Sequence, residues 1–200
     1  APSVNLDLDK FCKGEHLTFR GRASGPLNRL HAHGTMHTDF GKADLNITLR
    51  NVIDPNRPLE IGGSASTERL DIGRIMEGIP VGECDMRTGL NATFAKDSLG
   101  IVIDSLYVDG LDVLGYKYSN IAAVGTFSQD AFDGRIVCSD PNLNFLFQGI
   151  FSLSSKTKNA LYQFYANLGY ADLHALNIDK RGVSKMSLST QANFTRISGE

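Results

Sequence analysis

Two hundred residues are enough for one large domain or two small ones. Hydrophobic residues make up 42% and charged residues 21%, a globular balance that excludes a disordered chain. The net charge is −2 and no Lys/Arg run occurs, so nothing marks the chain as a nucleic-acid binder.

Taken in chain order, the dominant period is two, the period of a half-buried strand. Leu17 and Phe19 give a first short piece, closed by the turn signal Gly25-Pro26. Ala43, Leu45, Ile47 and Leu49 alternate with polar residues before the turn at Asp54-Pro55-Asn56, and Gly62-Gly63 reads as a further turn. Glu68 to Gly78 carries Leu70, Ile72, Ile75 and Met76 at helical spacing, with Thr67 as its expected cap; this predicts one short helix near residues 69–77. Met86, Thr88, Leu90, Ala92 and Phe94 alternate again, then Lys96-Asp97-Ser98 turns into Ile101 and Ile103, and Asp109-Gly110 and Gln129-Asp130 are expected turns. After Asp140-Pro141-Asn142 come Leu143, Phe145, Phe147, Gly149, Phe151 and Leu153 at every second position. Tyr162, Phe164, Ala166, Leu168 and Tyr170 form the next alternating set. Asn159–Asn167 has some helical spacing, but its aromatic content favours a strand. Lys180-Arg181-Gly182 leads to Met186 and Leu188. The expected fold is all-β, a curled antiparallel meander. Residues 1–200 read as a single β-rich segment with no linker.

Glycine, at 20 residues, is the unusual component. It recurs two residues before a small or apolar residue at Gly21, Gly34, Gly63, Gly125, Gly134 and Gly149, where bends or bulges are expected. No apolar run approaches the roughly 18 residues of a spanning helix. The chain starts Ala1-Pro2-Ser3 without a secretory leader, and reads as a piece excised from a longer protein.

Residues with catalytic or metal chemistry are sparse. Cys12, Cys84 and Cys138 are odd in number and lack metal-type spacing; they read as small core residues, with one disulfide and a spare thiol as the alternative. His31, His33 and His37 would share a face with Asp39 on a continuous strand, where zinc ligation competes with a solvated polar face and with a strand break at Gly34. Gly62-Gly63-Ser64-Ala65-Ser66 lacks the second glycine of a nucleophile elbow. Asp104, Asp109, Asp112, Asp130, Asp133 and Asp140 sit mostly at expected turns, with nothing to select a catalytic pair. Three Asn-x-Thr triplets, at Asn46, Asn91 and Asn193, are too short to carry weight. No enzyme activity, cofactor or metal is expected.

The order of short motifs after Leu59 is more specific than any one of them. Leu70-Asp71-Ile72-Gly73-Arg74-Ile75 is followed by Tyr116-Lys117-Tyr118-Ser119-Asn120-Ile121, Gly125-Thr126-Phe127, Phe132-Asp133-Gly134, Asp140-Pro141-Asn142-Leu143, the Phe145-to-Phe151 alternation and Ala171-Asp172-Leu173-His174-Ala175-Leu176-Asn177. This succession resembles the middle region of the large TamB proteins (translocation and assembly module subunit) of Bacteroidota, in the AsmA-like group. The resemblance covers residues 59–199, with 1–58 as leading strands. It implies a β-taco with an apolar inner groove, in a periplasmic protein held in the inner membrane by its N-terminus. It further implies phospholipid acyl chains as ligand, a role in lipid transport and outer-membrane biogenesis, and contact with an outer-membrane assembly barrel through regions outside this segment. Three free cysteines are slightly unusual for such a compartment.

Three expectations follow. The first is a groove lined by Ala43, Leu45, Ile47, Leu49, Leu90, Phe94, Ile101, Ile103, Leu143, Phe145, Phe147, Phe151 and Leu153. The second is a closed β-sandwich binding a protein or glycan, with its apolar rows facing each other. The third, a metal enzyme on His31, His33 and His37, requires a bound metal.

Overall fold

The computed structural model describes residues 17–54, 56–75, 80–95, 98–128, 131–153 and 160–196. They form one antiparallel sheet of thirteen strands that does not close into a barrel. Its main path runs β1 (Leu17–Ser24), β2 (Arg29–Thr38), β3 (Gly41–Arg50), β4 (Leu59–Glu68), β6 (Val81–Ala95), β7 (Ser98–Val113), β9 (Ile121–Ser128), β10 (Ala131–Asp140), β11 (Leu143–Leu153), β12 (Ala160–Asp172) and β13 (Lys185–Arg196). Two short strands lie off this path: β5 (Leu70–Asp71) pairs with β6, and β8 (Tyr116–Tyr118) pairs with β7. Each long strand pairs with the one before it, as short turns between alternating segments dictate.

The sheet is a single layer. Close backbone approach follows the hydrogen-bonded neighbours of the sheet, β5 on β6 and β8 on β7 included, with helix α1 (Ile72–Ile75) against β6 and β5 against β3. Leu176 is the only large side chain less than 2% exposed among the described residues. All thirteen strands belong to one hydrogen-bonded sheet, so the described residues hold no second, separate sheet of the kind the second expectation requires. Open sheets of this width curl under their own twist.

Several local expectations are corrected. Gly62-Gly63 and Asp109-Gly110 are not turns; they lie inside β4 and β7. In β7 the apolar phase slips twice, from Ile103 to Leu106 and from Val108 to Leu111, and the register with β6 shifts at both places. The extra residues of these bulges include Asp104 and Asp109. Thr67 does not cap the helix. It lies within β4, one residue before its end, donates to the Cys84 carbonyl at 2.8 Å and accepts the Met86 amide at 3.1 Å. The cap is Asp71, whose carboxylate accepts the Arg74 amide at 3.3 Å. The helix is one turn, and the expected part from Met76 to Gly78 lies outside the described residues. Gly34 does not break β2, which runs on to Thr38. Cys84 and Cys138 are free and buried; Cys12 lies outside the described residues.

Candidate functional site

Paired residues of an antiparallel ladder share a face. Following the register from strand to strand therefore sorts the sheet into two sides. One row runs Gly34, Leu45, Ala65, Thr88, Leu106, Ala123, Ile136, Phe147, Ala166 and Thr190. A neighbouring row runs Leu30, Leu49, Ile61, Ala92, Ile101, Phe127, Phe132, Phe151 and Tyr162. Ten strands thus present one nearly unbroken apolar face. The opposite face is mostly Arg, His, Asn, Ser, Thr and Asp.

All thirteen expected lining residues fall on the apolar face. Ala43, Leu45, Ile47 and Leu49 come from β3, Leu90 and Phe94 from β6, and Ile101 and Ile103 from β7. Leu143, Phe145, Phe147, Phe151 and, by register, Leu153 come from β11. Among those whose side chains are described, Ala43 is buried, but the larger ones are half-buried or exposed, unlike a core; the Leu153 side chain lies outside the described residues. The register also brings in residues that the sequence reading left out, among them Phe132, Ile136, Phe164 and Leu168. Their rings interlock across strands. Phe147 lies 5.8 Å from Phe132 and 5.2 Å from Phe164, and Phe151 meets Tyr162 edge-on at 5.0 Å.

Glycines interrupt this face in register. Gly21 pairs with Gly34, and Gly125, Gly134 and Gly149 stand on three successive strands. A Cβ on Gly134 would meet the Val124 carbonyl at 2.3 Å and the Gly125 Cα at 2.7 Å, so the backbones approach too closely for a side chain. The tip of the Phe132 ring lies over the same glycine.

The two ends of the apolar face differ. At one end stand the buried side chains of Phe40, Leu70, Cys84, Cys138, Ala171 and Leu176. Strand β5 is pinned there by the Asp71 amide on the Phe40 carbonyl (2.8 Å) and by the Arg69 amide on the Asp85 carboxylate (2.6 Å). Asp140 accepts the Tyr116 hydroxyl, the Ser119 hydroxyl and amide and the Asn142 amide. Burial works to raise its pKa, but these four donors outweigh it and hold the carboxyl below its ordinary value. Asn177 donates to the Leu114 carbonyl at 3.3 Å and so joins the β12–β13 loop to the β7–β8 turn, although β9, β10 and β11 lie between those strands. At the other end Phe94, Phe127 and Phe151 remain 42%, 41% and 39% exposed.

On the polar face a groove of about 570 Å³ is lined by His33, Thr35, Asp44, Asn46, Ser64, Ser66, Arg87, Ser105 and Tyr107. The Thr35 hydroxyl and then Lys42 hold the Asp44 carboxyl below its usual range. Arg87 lies over the Tyr107 ring at 6.0 Å and pairs with Asp109. His31, His33 and His37 do share this face, but each stands beside a different cross-strand partner: Thr48, Arg22 and Lys42. No group of three His, Cys, Asp or Glu among the described residues could hold a metal ion. Burial raises the Cys84 and Cys138 thiols above their ordinary pKa, opposite to what a nucleophile needs. No helix among the described residues is long and apolar enough to cross a membrane. No protein-family model matches the chain, and neither a curated protein nor a solved structure does.

Proposed function

We propose that this chain is a non-enzymatic segment that shields lipid acyl chains on the open apolar face of its sheet. One observation carries the reading: ten strands put apolar side chains on one side, and the large described side chains there stay half-buried or exposed, with Phe94, Phe127 and Phe151 the most open. A contiguous apolar face rimmed by polar residues is the kind of surface that marks a lipid or ligand contact. An acyl chain covers it favourably, at roughly 0.8 kcal/mol per buried methylene, so about ten methylenes contribute on the order of 8 kcal/mol. The task needs neither metal nor nucleophile. The ordered motifs from Leu70 to Asn177 resemble those of TamB-like proteins. We extend the reading on that ground to a periplasm-spanning, inner-membrane-anchored protein that carries phospholipid for outer-membrane biogenesis and meets an assembly barrel through other regions.

The test is lipid mass spectrometry on the chain purified from membranes, beside the variant F145D/F147D. Phospholipid carried by the native chain and lost from a folded variant supports the reading. A native chain free of lipid sinks it. The polar groove favours one second reading, a binding module for a glycan, because its lining combines the hydroxyl and amide side chains of Thr35, Asn46, Ser64 and Ser105 with the exposed Tyr107 ring. Glycan-array binding abolished by Tyr107→Ala, with no lipid retained, would favour that reading instead.

A further inference from the structure

The uncapped end of the sheet carries a feature that acyl shielding does not use. The β1–β2 turn and the β3–β4 loop are tied together there by the Asn51 amide on the Asn28 carbonyl, at 3.0 Å. Their tips hold Leu27, Val52 and Ile53, which are 68%, 45% and 63% exposed. Because the two loops adjoin, these three side chains are neighbours rather than scattered, and such a cluster can be taken up by an apolar surface.

The surrounding charge is positive. Arg22 and Arg29 flank the β1–β2 turn on the polar side of the sheet, and neither has an ion-pair partner among the described residues. The neighbouring cations are neutralised locally, Arg50 by Glu60 at 3.4 Å and Arg57 by Asp54 at 3.4 Å. Strands β1 and β2 contain no acidic residue. Apolar tips beside uncompensated arginines make the two-part signature of binding to an anionic bilayer, in which shallow insertion and headgroup attraction each add to affinity.

We infer that this end docks on an anionic membrane surface, with Leu27, Val52 and Ile53 inserted at the headgroup boundary and Arg22 and Arg29 against lipid phosphates. The inference rests on the acyl-shielding reading for its purpose, since docking here sets the open end of the apolar face, with Phe94, Phe127 and Phe151, toward the source of lipid. The membrane contact itself is independent of that purpose.

The experiment is cosedimentation of the 200-residue chain with vesicles of phosphatidylglycerol and phosphatidylcholine, against phosphatidylcholine alone. Binding of a fluorescent fatty acid is measured in parallel without vesicles. Binding to the anionic vesicles is expected, falling about tenfold or more in L27D/I53D and in R22Q/R29Q, as the loss of two lipid-facing charges implies. All these positions are exposed, so unchanged circular dichroism and melting confirm folded variants. Equal binding to neutral vesicles, or undiminished binding by both variants, overturns the docking. A chain that binds the fatty acid but no vesicle overturns the docking and leaves acyl shielding standing. A chain that binds anionic vesicles but no fatty acid upholds the docking and removes the acyl reading.

Discussion

The rings of Phe147 and Phe164 lie 5.2 Å apart on adjacent strands, yet neither side chain is buried. In a closed core such a pair would be covered from above. Here it forms part of a surface, and truncation costs should follow exposure rather than side-chain size. Phe151→Ala, at a position 39% exposed, is expected to cost about 1–2 kcal/mol, below the usual range for a buried phenylalanine. Leu176→Ala, at 1% exposure, is expected to cost about 2–5 kcal/mol. Urea unfolding of both variants checks the order. A Phe151→Ala cost at or above that of Leu176→Ala would mean that something covers the face.

The glycine ladder gives a second contrast. Gly134→Ala places a Cβ against the Val124 carbonyl and the Gly125 Cα, and both are backbone atoms with no rotamer to yield. A loss of about 2–3 kcal/mol is expected from this overpacking. Gly100→Ala meets nothing within 4 Å and should stay within about 0.5 kcal/mol of wild type. Thermal melts of the two variants measure the contrast; equal melting of both would mean that β9 and β10 leave room for a side chain at Gly134.

Much of this surface could be read from the chain itself. Every expected lining residue sits on the apolar face because strand alternation has a period of two, and a one-residue error would have sent a whole set to the other side. Gly21, Gly34, Gly63, Gly125, Gly134 and Gly149 stood out as a repeat, and all six share that face. What escaped was longer-range. The phase slip from Ile103 to Leu106 was present in the sequence but reads as a strand end unless a bulge is considered. Likewise Tyr170 continues the Tyr162-to-Leu168 alternation in the sequence, whereas the register shift between Leu168 and Ala171 sets it opposite Asn144, on the polar side. Gly62-Gly63 looked like a turn because local glycine chemistry is the same in turns and in bent strands. The capped end, which depends on Asn177 reaching Leu114 across 63 residues, had no local signal at all.

Asp140 makes stability depend on pH in a definite direction. Its carboxyl is held below the value it has in an unfolded chain, so the folded state binds the ionised form more favourably. The contribution is complete above the unfolded value, near pH 4, and is lost as pH falls through the lower folded value. Asp140→Asn should therefore flatten the decline in stability below about pH 4, while costing about 2–3 kcal/mol at pH 7 through the lost charged hydrogen bonds. Chemical denaturation at stepped pH measures both. An unchanged acid slope would assign the acid sensitivity to other carboxylates.

The cysteines should be silent in the native state. Cys84 and Cys138 are each 4% exposed, and burial holds both thiols protonated beyond their usual range. Maleimide labelling followed by peptide mass spectrometry should find both unmodified until denaturant is added. Rapid native labelling of Cys138 would place the end of β10 in an open state.

Leu176 offers the sharpest test of the difference between the two ends. It is held by a loop whose backbone is fixed on both sides, by the Leu176 amide on the Asp172 carbonyl at 3.0 Å and by the Leu173 amide on the Ser184 carbonyl at 2.7 Å. Replacing it with aspartate puts a charge where 1% exposure leaves no room for hydration, so the loop must leave its seat. The Asn177–Leu114 bond would go with it, and with that bond the support of the β7–β8 turn. Hydrogen exchange should then quicken at residues 114–120 and 173–179. Near Leu30, Ile61 and Phe127 it should change little, because only strand ladders connect the two regions. Exchange that rises evenly over the whole sheet would instead make the described chain one cooperative unit, with no independently seated cap.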